Sequence, residues 1–192
     1  MPPKSKFTKE EIIKAAFEIV REQGASALTA RFLGEKLQSS SRPIFTVFHN
    51  MQEVQLEVQN EAKKLYTSYL EEGLKEPKPF KGVGQAYIRF AIAEPKLFQL
   101  LFMREFNQIP SRNTVLNMLD TNYEKIITSI ENEYHFTRET ALNLYFHLFI
   151  YTHGIAVLIV TKVCAFSPKD ISDLLTEVNL SLVEKIKKGE IK

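Results

Sequence analysis

The sequence predicts an all-α protein, and three observations carry that prediction. Apolar residues recur at spacings of three and four along almost the whole chain. No sustained alternation with a period of two, bounded by turn dipeptides, predicts a strand. Helix-start signatures precede most of the periodic stretches. The 44% hydrophobic content is enough for a full core and excludes disordered and fibrous classes.

The first helix opens on Thr8-Lys9-Glu10-Glu11, a capping box, and is expected to end at Gly24. Ile12, Ile13, Ala16, Phe17 and Val20 form its apolar stripe. A second helix, with Thr29 as cap, is expected over about Ala30–Leu37, with Leu33 and Leu37 facing inward. After the polar break Gln38-Ser39-Ser40, a helix of about two turns is expected over 41–48, with Pro43 in its first turn and Ile44, Val47 and Phe48 inward. Asn50-Met51-Gln52-Glu53 is a second capping box and starts a long helix expected to end before Gly73. Further helices are expected over about Phe80–Ala93, Pro95–Met103, Ser111–Glu133, Arg138–Val163 and Pro168–Lys188, with Thr137 and Ser167 as caps.

Charge divides this string unevenly. Residues 1–50 carry eight Lys or Arg against five Glu, a local charge of +3, while the chain as a whole carries +2. A basic N-terminal segment on a near-neutral body suits phosphate attraction. The first three helices, two of them short and joined by a tight polar turn, have the spacing of a helix-turn-helix, the geometry that lays a recognition helix in the major groove. The domain boundary is therefore expected at 52/53, with residues 1–52 as the DNA-binding module and 53–192 as a larger helical domain.

The residues strengthen this reading. Leu28-Thr29-Ala30-Arg31-Phe32-Leu33-Gly34-Glu35-Lys36-Leu37, followed by Ser40-Ser41-Arg42-Pro43-Ile44-Phe45-Thr46-Val47-Phe48-His49-Asn50-Met51-Gln52-Glu53-Val54, resembles the TetR family of transcriptional regulators over residues 8–56. A weaker likeness covers Tyr87–Met103. The resemblance implies a homodimer that binds double-stranded operator DNA, represses transcription, and is released by a small ligand entering the C-terminal domain; a cytoplasmic location is expected from the N-terminal Met-Pro-Pro-Lys-Ser-Lys-Phe-Thr, whose basic residues are followed by no apolar stretch. It also implies that the last two helices form the dimer interface, placing the two recognition helices about 34 to 36 Å apart, one turn of DNA.

Carried over by position, Arg31 matches the second-helix arginine that contacts base or phosphate, and Ser41, Arg42 and Pro43 open the recognition helix. Arg42 either reads guanine through O6 and N7 or grips phosphate. Thr29, Thr46, His49 and Asn50 offer donors to the DNA backbone, and Lys4 and Lys6 trail along it. The sequence departs from the family pattern in two places. Many members have Tyr where Thr46 and Val47 stand, and Lys where Met51 stands.

The C-terminal domain is crowded with aromatics, and a small apolar or aromatic effector is expected among Tyr87, Phe90, Phe98, Phe102, Tyr123, Asn143, His147 and Tyr151. The same aromatics can equally fill a core. His147 and His153 lack the spacing of a metal pair, and no cofactor or metal is expected. No paired carboxylates, nucleophile with a base, or phosphate loop points to an enzyme; Gly82-x-Gly84 lacks a third glycine and a preceding strand. The rival function is a helical ligand- or partner-binding protein with weak or lost DNA binding. The run Ala141–Phe166 is apolar enough to resemble a membrane span, but Asn143, His147, His153, Gly154 and Lys162 interrupt it, so it is expected between other helices. Cys164, the single cysteine, is expected to be a small buried hydrophobe.

Overall fold

The computed structural model describes residues 6–106, 108–112 and 114–191. Among them every regular element is helical: α1 (Lys9–Gln23), α2 (Ala30–Lys36), α3 (Met51–Leu74), α4 (Pro79–Ala93), α5 (Pro95–Phe102), α6 (Val115–Leu119), α7 (Tyr123–Tyr134), α8 (Arg138–Val160) and α9 (Pro168–Lys187), with short 3₁₀ turns at Ala25–Ala27 and Ile44–Thr46. The all-α expectation holds.

Packing divides the chain into two units. One runs through Leu65 and takes in Glu94–Glu105; the other comprises Tyr66–Ala93 and the chain from Phe106 onward. The position expected as a domain boundary, 52/53, lies in the first turn of α3, and α3 contributes its N-terminal part to the first unit and its C-terminal part to the second.

In the first unit the caps form as the residue types dictate. The Thr8 hydroxyl accepts the Glu11 amide at 3.2 Å, and the Glu11 carboxylate accepts the Thr8 amide at 2.8 Å. Ile12, Ala16, Ile19 and Val20 of α1 are buried with Leu33, Ile44, Phe48, Val54 and Val58, each large side chain worth about 2 kcal/mol of burial. Helix α5 packs on α1 and buries Leu97 and Phe98. Glu94, 5% exposed, takes both the Nε (2.8 Å) and the Nη2 of Arg21. Removing that carboxylate from water is offset by the bidentate guanidinium.

In the second unit α8 is the central helix, packed on α4, α7 and α9. It is long and apolar enough by length and composition to cross a membrane, and its place among three neighbours fits the packed-helix expectation. Helices α3 and α4 meet through two glycines: a Cβ on Gly82 would run into the Gly73 carbonyl.

Three expectations are corrected. Residues 41–48 form turns around a short 3₁₀ helix at Ile44–Thr46, with successive i→i+3 bonds (Phe45 to Arg42, Thr46 to Pro43, Val47 to Ile44) and one closing i→i+4 bond from Phe48 to Ile44, not a two-turn α-helix. Pro43 lacks an amide, and the Thr46 hydroxyl donates to the Pro43 carbonyl at 2.7 Å, which holds the tighter winding. The helix expected over Ser111–Glu133 is broken between α6 and α7, because the Asp120 carboxylate accepts the Asn122 amide at 2.7 Å and forms a turn that replaces the helical bond. Cys164 is exposed, because α8 stops at Val160 and Lys162 takes a left-handed conformation (φ 60°) that leads the chain outward.

Candidate functional site

The first candidate surface is the outer side of α2 and the following turn. Helix α2 ends in a Schellman motif: Gln38 adopts φ 51°, its amide bonds Glu35, and the Ser39 amide bonds Gly34 at 2.9 Å. The chain then crosses so closely over α2 that a Cβ on Gly34 would lie 3.0 Å from backbone atoms of Ser39, Ser40 and Ser41. This crossing places Leu33 and Ile44 inside, both fully buried, and turns the polar positions outward.

Every residue expected on DNA lies in this stretch. Thr29, Arg31, Arg42, Thr46, His49 and Asn50 are exposed, and Ser41 and Pro43 are half-buried. Several have structural duties already. The Thr29 hydroxyl caps α2 through the Phe32 amide (3.2 Å), and Asn50 Oδ1 accepts the Glu53 amide (3.0 Å). The Glu53 carboxylate reaches back one residue further than a capping box requires, to the His49 amide at 2.8 Å. Arg31, with a side chain 89% exposed, pairs with Glu35 one turn on at 2.9 Å. Among the described residues Arg42 has no ion-pair partner. Lys6 donates to Ser39 Oγ at 3.2 Å, which lays the N-terminal segment beside the turn; Lys4 lies outside the described residues.

The second candidate is a cavity of about 170 Å³ in the second unit. Phe80, Val83, Leu148, Phe149, Leu175 and Leu180 supply its apolar wall, and Gly84 leaves space beside Leu175 and Thr152. Its polar lining comes from five helices and a turn: Tyr66, Tyr87, Asp120, Glu133, Tyr134, Tyr145, Thr152, Thr176 and Asn179, with exposed Lys78 and half-buried Lys81. Lys81 Nζ donates to Thr176 Oγ1 at 3.2 Å.

Asp120 is 3% exposed and accepts the Tyr145 hydroxyl at 3.0 Å as well as the Asn122 amide. Burial pushes the hydroxyl pKa values of Tyr66, Tyr87 and Tyr145 well above the ordinary tyrosine range, and the Asp120 charge pushes each of them further up. All three are therefore neutral donors at physiological pH. Tyr134 is pushed up to about 12, chiefly by burial, against the opposing hydrogen bond from Asn179. Asn179 Nδ2 donates to the Tyr134 oxygen at 3.0 Å. Glu133 Oε2 and Asn179 Oδ1 are buried without a hydrogen-bond partner. Tyr87 also bonds His153 Nδ1 at 2.8 Å, and His153 stacks on Phe149 with ring centroids 5.6 Å apart.

Of the residues expected around an effector, Tyr87 lines this cavity and the others lie elsewhere. Phe98 and Phe102 belong to the first unit, where their rings pack together at 5.0 Å. Phe90 is fully buried in an edge-to-face cluster with Tyr66 and Tyr69. Asn143 accepts from Arg112 (3.0 Å), whose guanidinium lies over Phe146, and His147 is exposed. Tyr151 packs against the Ile88, Ile155, Ile171 and Leu175 cluster. Tyr123 is half-buried beside the cavity without lining it. Asn143, His147 and Tyr151 lie four apart along α8, whereas the cavity meets the face bearing Tyr145, Leu148, Phe149 and Thr152. Missed altogether were Asp120, Glu133 and Asn179; the Asp-Thr-Asn sequence at 120–122 is the signal that marks the first of them as a turn.

No family model and no curated protein sequence matches this chain. Among solved structures it is similar in fold to a protein of unknown function from Rhodococcus sp. RHA1, with a TM-score of 0.69 over 96% of this chain and 98% of that one, at 17% identity. At that identity the similarity shows the helical fold alone.

Proposed function

We propose that this protein is a DNA-binding transcriptional regulator of the TetR type, a cytoplasmic homodimer with no enzymatic activity. The observation that carries the reading is the division of faces in the α2-turn-3₁₀ segment. Its apolar residues Leu33, Ile44 and Phe48 are buried, while Thr29, Arg31, Arg42, Thr46, His49 and Asn50 are exposed and Arg42 forms no ion pair among the described residues. An exposed cation held on a braced turn is what a phosphate or a guanine edge requires. A small effector in the second unit's cavity would shift the dimer toward a form whose half-site spacing no longer fits successive major grooves. Exposed apolar side chains on the last two helices, Ile150 and Leu158 on α8 and Leu180 on α9, support dimerisation there.

The test is titration of the protein against DNA selected from its own genome, across a salt series, beside Arg42→Ala. The variant is expected to bind about 5- to 150-fold more weakly, the equivalent of about 1 to 3 kcal/mol. Loss of sequence preference assigns Arg42 to a base, and uniform weakening with a shallower salt slope assigns it to phosphate. A second reading, a helical ligand- or partner-binding protein with weak DNA affinity, is favoured by the Arg31–Glu35 pair, which spends one of the two matched arginines inside the chain. Absence of any preference over random DNA at physiological salt would decide for it.

A further inference from the structure

We propose that the effector is a monocationic amphipathic amine, whose ammonium group is bound by Glu133 and Asn179 and whose ring lies against the apolar wall. This rests on the cavity being the effector site of the regulator described above. The argument starts from two acceptors. The atoms Glu133 Oε2 and Asn179 Oδ1 are buried with no hydrogen-bond partner among the described residues, and both residues line the cavity, where the Glu133 carboxylate also raises the Tyr134 hydroxyl through its charge and a hydrogen bond. Leaving a buried acceptor unmet costs about 1 to 3 kcal/mol, and more when it carries charge. Asn179 is tied to Tyr134, the residue after Glu133, so the two acceptors belong to one wall.

An ammonium group supplies three donors and the opposite charge, and so answers both acceptors at once. A hydroxyl supplies one donor and no charge. The remaining electrostatics favour the same choice. Asp120 puts a second carboxylate in the lining at 3% exposure, and its charge acts on Tyr66, Tyr87 and Tyr145 together. The two lysines of the lining stand differently: Lys78 is exposed to solvent and Lys81 is engaged by Thr176. Phe80 and Phe149 provide ring faces for the body of the ligand and for the cation itself. A cavity of about 170 Å³ is slightly larger than one known to hold benzene, which sets the ligand at about one ring and a short arm.

The experiment uses three matched probes, 2-phenylethylamine, 2-phenylethanol and 3-phenylpropionate, titrated into the full-length protein by ligand-observed NMR at pH 7. The amine is expected to bind at least tenfold more tightly than the alcohol, with the carboxylate weakest, and Glu133→Gln is expected to remove most of that preference. The probe series needs no variant, so it stands even if the substitution disturbs folding. Equal binding of alcohol and amine overturns the proposal while leaving the cavity as an effector site. Tighter binding of the carboxylate overturns it in favour of Lys78 and Lys81. No binding of any probe overturns both this proposal and the effector role of the cavity. Binding of the amine in the predicted order without change in DNA affinity upholds the amine site and removes the release mechanism.

Discussion

The stretch matched to DNA contacts and the cavity lining handle their polar groups in opposite ways. In the first, the matched side chains bond residues close in sequence: Thr29 with Phe32, Arg31 with Glu35, Thr46 with Pro43, Asn50 with Glu53. In the second, Lys81 reaches Thr176, Tyr87 reaches His153, Tyr134 reaches Asn179, and two buried acceptors are left over. A segment whose polar groups are satisfied locally presents a fixed surface. A bundle whose polar groups are gathered from distant helices around a hollow is built to be completed by something else. The contrast teaches that the proposed DNA-facing surface and the cavity differ in where their information is stored, and it can be broken by substitutions that act on one unit and spare the other.

The largest effect is expected from Gly82→Ala. The new methyl would meet the Gly73 carbonyl where α3 and α4 cross, and that atom is backbone, which cannot rotate away. Helices forced apart there lose packing worth about 3 kcal/mol, which for a chain of this size lowers the melting temperature by about 6 to 12 °C. The cavity should lose affinity for 2-phenylethylamine as well, because Val83 and Gly84 of its lining follow directly. A variant with unchanged melting temperature would show that the crossing is looser than the backbone approach implies.

Next in size is Gly34→Ala. Its methyl would press on three backbone atoms of Ser39, Ser40 and Ser41 at 3.0 Å, so the turn must move by a few tenths of an ångström. The expected stability loss is about 1 kcal/mol, but the turn carries Arg42, and DNA affinity is expected to fall tenfold or more. Probe binding in the cavity should be unchanged. Equal losses in both assays would erase the distinction between the units.

That distinction also explains what the sequence made legible. Helix starts at Thr8, Thr29, Thr137 and Ser167 were predicted because a cap is a relation between neighbours three residues apart, and all four side chains accept the expected amide. The exposed positions of the α2 turn followed from the same local logic. The cavity was not legible, because it depends on which face of α8 looks inward, and α8 is apolar nearly all round, so periodicity does not choose among its faces. The break at Asp120 was missed because a hydrophobic pattern running from Leu116 through Ile126 and Ile130 is compatible with one helix; only the side-chain bond from Asp120 to Asn122 ends it. The glycine contacts at Gly34, Gly73 and Gly82 depend on a partner segment that no local rule supplies.

The smallest effect tests the second unit through its half-buried histidine, His153. Burial lowers the pKa of His153 from its ordinary 6.5, so the folded state prefers the neutral ring. In the neutral ring with its proton on Nε2, Nδ1 accepts the Tyr87 hydroxyl, and protonation would reverse that bond. With the folded pKa below the unfolded one, the unfolded chain takes up the proton first as pH falls, and stability is lost from about pH 6.5 downward until both states are protonated. Urea unfolding at pH 7.5 and pH 5.5 is expected to show this loss in the wild type and a smaller one in His153→Gln, which keeps an acceptor for Tyr87 but does not titrate. The first unit contributes no such histidine, since His49 is exposed. A wild-type pH dependence that His153→Gln leaves untouched would show that the acid sensitivity lies outside the Tyr87–His153 contact.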